Sequence, residues 1–293
     1  MSRDDRSGTS AAMESPGIFD RAARRLHRDR AFTSYGDARF LRDYMIEGIA
    51  DRLAGIAREF RDVLDLGCFD AAFVPPTGSR VARLDPGYRF AAAAQGVQGD
   101  EDRLPFADHA FDLVVAAGTL DTIDDLPGAL TLARRVLRPD GLFLAAFVGA
   151  GSLATLRGAL RDAEGDRPGA RIHPQVDVRA AGDLLMRAGF ALPVADTETL
   201  TIRYASLFGL LRDLRGMAGS NVMQGRSPLR RDVLARAADL FADRADPDGR
   251  TTERLEIVFM TGWSPAPSQP KPARRGSATQ SLANALRPPT PSD

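Results

Sequence analysis

The chain has 293 residues, enough for one large α/β domain with insertions and tails. Its 39 Lys and Arg balance 39 Asp and Glu, so no net charge draws it to nucleic acid or to an anionic membrane surface. Cys68 is the only cysteine, which excludes an intrachain disulfide and fits a reducing, cytoplasmic location. The longest apolar stretch, Leu142 to Ala150, is too short for a transmembrane segment.

Residues 1–17 are polar and rich in Gly and Ser, and are expected to be disordered, with Met13 a candidate start. They contain no apolar signal core, and Asp4, Asp5 and Glu14 argue against a transit peptide. Residues 18–60 are predicted helical. Phe19, Ala22, Ala23 and Leu26 recur at helical spacing, and Tyr44, Met45, Ile49, Leu53 and Ile56 do so again. The basic run Arg24 to Arg30 is expected to be a solvated helix face, with a binding patch for an acidic partner as the alternative.

Strands and helices then alternate. Strands are predicted at Val63–Leu66, at Val81–Leu84, briefly before Gly99, at Phe111–Ala116, at Leu142–Val148 and near Ala191–Ala195. Helices are predicted at 125–137, 151–163 and 178–188, and a turn at Pro139-Asp140-Gly141. This is the rhythm of a doubly wound, mostly parallel α/β sheet. Two helices at 204–217 and 228–243 interrupt it before a last strand at Leu255–Thr261. The expected organisation is one domain over 18–263 with a helical insertion at 204–252, followed by a flexible Pro-rich tail at 264–293.

The residues that carry chemistry cluster at strand ends. Val63–Leu66 runs into Gly67-Cys68-Phe69-Asp70-Ala71, placing Phe69 and Ala71 where a nucleotide-binding turn usually has further glycines. Asp85 closes the second strand, where an acid accepts hydrogen bonds from a ribose diol; Asp85-Pro86 also reads as a helix N-cap followed by Pro. Asp100 and Glu101 follow the short third strand, where an acid suits an adenine amino group, or forms a plain acidic loop. Cys68 sits in the turn as a small buried filler, or as a thiolate at a helix start. His27, His109 and His173 have no metal-ligand spacing, and no metal is expected. No catalytic residue is assigned.

Asp-Val-Leu-Asp-Leu-Gly-Cys at 62–68, Leu-Pro-Phe-Ala-Asp-His-Ala-Phe-Asp-Leu-Val-Val at 104–115, Asp-Leu-Pro-Gly-Ala-Leu at 125–130 and Leu-Arg-Pro-Asp-Gly-Leu-Phe at 137–143 resemble class I SAM-dependent methyltransferases, above all the malonyl-ACP methyltransferase type. Ile18-Phe19-Asp20-Arg21, Asp213-Leu214-Arg215-Gly216-Met217, Thr261-Gly262-Trp263 and Arg275-Gly276-Ser277-Ala278 resemble the respiratory complex I assembly factor branch. The resemblance implies a seven-stranded sheet with S-adenosyl-L-methionine (SAM) at the carboxyl ends of the first strands. It also implies a protein substrate or respiratory-complex subunit as partner, with arginine hydroxylation the chemistry of the assembly-factor branch. By position it assigns Asp65, Gly67 and Cys68 to the SAM turn, Asp85 to the ribose, and Asp100 and Glu101 to the adenine side. The chain departs from the pattern at Phe69 and Ala71. Pro75-Pro76 requires the helix after the first strand to be short or absent. Asp121-Thr122 stands where the family has His-Trp, and Thr155 where it has Glu.

Two readings follow. One is a SAM-dependent methyltransferase-type protein acting on a protein substrate. The other is a non-catalytic assembly scaffold that kept the fold and lost the cofactor. A nicotinamide dehydrogenase is disfavoured by the single glycine and by the insertion.

Overall fold

The computed structural model describes residues 17–166 and 169–270. The expectations for 1–16 and 271–293, including the Arg275–Ala278 motif, fall outside these residues. Three helices open the chain: α1 (Arg21–Ala31), α2 (Tyr35–Ala38) and α3 (Phe40–Ala54). Then come β1 (Asp62–Leu66), β2 (Arg80–Asp85), α4 (Tyr88–Ala93), β3 (Val97–Gln98), β4 (Phe111–Ala117), α5 (Leu126–Val136) and β5 (Leu137–Val148). The chain continues through α6 (Ala154–Glu164), α7 (Val178–Arg187), β6 (Ala191–Tyr204), α8 (Leu207–Gly216), α9 (Arg231–Ala242) and β7 (Thr251–Trp263). The seven strands form one sheet in the order β3-β2-β1-β4-β5-β7-β6, with β7 antiparallel to both neighbours. This is the expected doubly wound sheet, with α8 and α9 inserted before the last strand.

The central strands are continuous apolar runs because helices cover both faces. On one face Val63, Leu113, Val115, Leu142, Leu144, Ile257 and Phe259 pack with α3, α6 and α9. On the other, Leu64, Leu66, Val114, Phe143, Phe147 and Met260 pack with α5 and α7. Gly48 lets α3 lie close to the sheet, since a Cβ there would stand 2.5 Å from the Phe259 ring. No helix among the described residues is long and apolar enough to cross a membrane.

Three elements differ from the sequence expectation, and one stretch meets it. β6 extends to Tyr204 instead of ending near Ala195, pairing with β7 as an edge strand. Its alternation of threonines with charged residues suits one half-buried face, and Asp196 and Glu198 are held by Arg52 of α3. β5 begins at Leu137, so Pro139-Asp140-Gly141 is an irregularity inside the strand, with Asp140 at φ +64°. As Pro75-Pro76 requires, no helix joins β1 to β2, and residues 67–79 are irregular. Finally, α1 has its apolar pattern inverted. Arg24 and Arg28 are buried while Leu26 is 47% exposed, so the basic run is not a solvated face.

Candidate cofactor and substrate site

The carboxyl end of β1 delivers Asp65 and Gly67. Gly67 takes φ +63°, and a Cβ there would stand 2.4 Å from the Thr119 side chain, so only glycine fits. Phe69 at φ +45° and Ala71 at φ +56° hold the same left-handed conformation without being glycine. Each costs about 1–2 kcal/mol. The backbone path of a glycine-rich turn therefore survives the loss of its glycines. The Phe69 ring fills the space beyond the turn, stacked on Tyr35 at 4.9 Å and edge-on to Phe90 at 5.3 Å. Cys68 is fully buried, and burial pushes its thiol up, with Asp85 and Asp65 adding to the effect. No helix follows the turn to favour a thiolate, so Cys68 is a neutral filler.

Asp85 ends β2 and is 0% exposed. Its Oδ1 accepts from the Gly87 N–H at 2.8 Å and from Arg28 Nε at 3.2 Å, and its Oδ2 accepts from the Phe69 N–H at 2.9 Å. It caps no helix, because α4 starts at Tyr88 with Gly87 as its N-cap. Asp100 and Glu101 follow β3. Arg25 donates to Asp100 at 2.6 Å, and Arg24 grips Glu101 with both Nη atoms at 2.7 and 2.9 Å. Arg21 donates to Asp102. Thr119, just past β4, donates to Glu101 and accepts from Arg24 and Arg28. Burial alone would push the Glu101 carboxyl up. The Arg24 charge and hydrogen bonds, with Arg28 and Thr119 behind them, outweigh it and hold the carboxyl below its usual value.

Asp65 is different. It is completely buried, and neither oxygen has a hydrogen-bond partner among the described residues; Arg42 Nη2 stands 3.7 Å away. Burial pushes its pKa to about 6 despite Arg42 and Arg83.

A cavity of about 330 Å³ adjoins the turn on the far side of Phe69. Its walls are leucine-rich, from α3, α6, α8 and Leu229; Asp121, His173 and the arginines Arg42, Arg171, Arg215 and Arg226 add polar groups. Asp121 lies in a single 3-10 turn, Leu120–Thr122, after β4. His173 accepts from the Val222 N–H at 2.9 Å and meets Phe19 edge-on at 5.4 Å, and burial holds its pKa down. His109 contacts the Leu137 carbonyl at 2.8 Å, away from the site. Among the described residues no three His, Cys, Asp or Glu side chains gather to hold a metal.

Sequence reasoning missed the arginines of α1. Arg21, Arg24, Arg25 and Arg28 have spacings of three and four, which put them on one helical stripe. That stripe faces the acidic segment 100–102 and Asp85. The signal was present, but the second half of each pair lies 57 to 81 residues away.

The residues fit SAM in kind. The orphaned Asp65 carboxylate suits a cationic group, Asp85 suits a diol, and Asp100 and Glu101 suit an amino group. All stand at the carboxyl ends of β1, β2 and β3, where a doubly wound sheet binds ligands. In the present arrangement the guanidinium groups of α1 hold the last three acids.

The chain matches the model of a methyltransferase domain over residues 64–145, which span β1 to most of β5. It is 34% identical over 285 residues to the mitochondrial arginine-hydroxylase NDUFAF5 of Danio rerio, covering 91% of this chain and 89% of that protein. It is 32% identical over 270 residues to the malonyl-[acyl-carrier protein] O-methyltransferase of Halorhodospira halophila, covering 84% and 88%. In fold it is similar to a crystal structure of a putative methyltransferase from Bacillus halodurans, with a TM-score of 0.52, 17% identity, and coverage of 75% and 99%. The chain belongs to the class I SAM-dependent methyltransferase family, in the group that holds NDUFAF5 and the malonyl-ACP methyltransferases.

Proposed function

We propose that this protein serves respiratory complex I assembly as a methyltransferase-type protein whose substrate is a side chain of a partner protein. SAM is the cofactor of its family, and Asp65, the Gly67-Cys68 turn, Asp85, Asp100 and Glu101 are the residues proposed to receive it. The observation that carries the substrate reading is the cavity. Its volume of about 330 Å³ lies at the small end of ligand sites. Apolar walls suit a long aliphatic stem. Asp121, with no ion pair or hydrogen bond among the described residues, suits a cationic tip such as a guanidinium. The activity of the NDUFAF5 relatives, arginine hydroxylation, points the same way. Removal of the gene should stall complex I assembly and leave one side chain of a complex I subunit unmodified by mass spectrometry. The mass of the missing group reads the chemistry, a methyl or an oxygen. Complex I of normal abundance and modification in the deletion strain would overturn the reading.

The scaffold reading is favoured by one observation, the arginines that occupy Asp85 and Glu101. It predicts that complementation by an Asp65→Asn, Asp85→Asn double variant restores complex I in full; the enzyme reading predicts that it does not.

A further inference from the structure

We propose that α1 is an intramolecular occupant of the nucleoside site, with Arg28 and Arg24 in the place of a ribose diol and a base amino group, so that the site is autoinhibited until α1 withdraws. This rests on the cofactor reading above and concerns the regulation of that same site.

The charge match is complete along one stripe. Arg28 meets Asp85, Arg24 meets Glu101, Arg25 meets Asp100 and Arg21 meets Asp102. Arg24 and Arg28 are 8% and 4% exposed, and their partner acids are 1% and 0% exposed. Both arginines also share the Thr119 hydroxyl. The Arg28 guanidinium carbon lies 3.4 Å from the Phe69 ring centroid, covering the turn as well as its acid. A flat, hydrogen-bonding group stacked on an aromatic ring and held by a strand-end carboxylate is how a protein receives a base or a sugar. Here the chain supplies that group itself.

The hold on α1 is separate from the main core. Phe19, Ala23, Val222 and Met223 form a small cluster of their own. Phe19 bridges Met223, the Asp20 N–H donates to the Val222 carbonyl at 2.7 Å, and Arg226 pairs with Asp20 at 3.0 Å. The outer face of the segment leaves Ile18 54% and Leu26 47% exposed. Buried ion pairs add little net stability against full solvation of both partners, so they position α1 more than they bind it. Local opening is drawn from regions with few buried apolar contacts. The latch residues 222–226 belong to the insertion whose α8 walls the substrate cavity, so a partner seated there is placed to release α1.

The test is titration calorimetry of the full chain with S-adenosylhomocysteine, together with amide hydrogen exchange over residues 21–31. The wild type is compared with Arg28→Ala and with Phe19→Ala, which loosens the latch without uncovering a buried acid. If only about a tenth of molecules are open, the apparent affinity is weakened about tenfold. Both variants should therefore bind about tenfold more tightly. Saturating S-adenosylhomocysteine should speed exchange of α1 in the wild type. Binding by the wild type that neither variant improves, with α1 exchange unchanged, overturns the plug and leaves the cofactor reading standing. Failure of every variant to bind, each folded by circular dichroism, overturns the cofactor reading and the plug with it.

Discussion

Asp65 is a carboxylate that folding strips of partners. Its folded pKa near 6 lies above the ordinary value of 3.8, because burial disfavours the charge. The folded state therefore binds more protons than the unfolded chain between about pH 4 and 6, and stability falls as pH rises through that window. At neutral pH the cost is on the order of 3 kcal/mol. Asp65→Asn should be more stable than wild type at pH 7.5, with the difference vanishing near pH 4, as urea denaturation at the two pH values would read. A constant difference would show that the charge is not the cause. Glu101 has the opposite sign. Held below its usual value by Arg24, it contributes stability at neutral pH that is lost as the solution is acidified through its titration. Ala71 carries strain alone, since it lacks the aromatic packing that compensates Phe69. Ala71→Gly should raise stability by up to about 1 kcal/mol. Phe69→Gly should lower it by about 3 kcal/mol, because the ring lost from Tyr35 and Phe90 outweighs the relief at the backbone.

Among the elements, α6 shows how a lost family residue is replaced in space. Leu153, its N-cap, sits at φ +59° and offers no side-chain acceptor to the first turn. Glu253 reaches across from β7, fully buried, and accepts from the N–H groups of Thr155 at 3.2 Å and Leu156 at 2.7 Å. Glu253→Ala should cost about 2 kcal/mol by chemical denaturation, and Glu253→Gln, which keeps an acceptor, about half as much. A Glu at the start of this helix is what the family pattern leads one to seek near Thr155; the carboxylate instead comes from a strand ninety-eight positions later. β1, β2, β4 and α5 were legible because apolar periodicity and strand ends are local signals. The long β6 was not, because its solvent face is polar and its register comes from β7. α1 was misread for a related reason. Helical periodicity identified a helix, but its buried stripe is ionic, and only the distant acids say which face turns inward.

At the scale of the whole molecule, Phe69 divides the site in two. With Tyr35 it lines the cavity, and its ring also receives the Arg28 guanidinium that covers Asp85. In the present arrangement the strand-end acids and the leucine-lined cavity are thus adjoining compartments with one aromatic wall. The insertion bounds both: α8 supplies Leu211 and Leu214 to the cavity, and residues 222–226 latch α1. This arrangement makes the two halves separable by mutation. Leu211→Trp, which fills the cavity, should lower modification of the partner side chain by about tenfold or more, equivalent to about 1.4 kcal/mol. It should leave the S-adenosylhomocysteine affinity of the Arg28→Ala background within about a factor of three, because Leu211 touches no strand-end acid. A parallel loss of both would mean that Phe69 moves with cavity occupancy and that the wall is a shared gate. Loss of neither would place the partner somewhere other than this cavity. Modification and S-adenosylhomocysteine affinity, measured on the same folded variant, therefore decide how the chain divides cofactor from substrate.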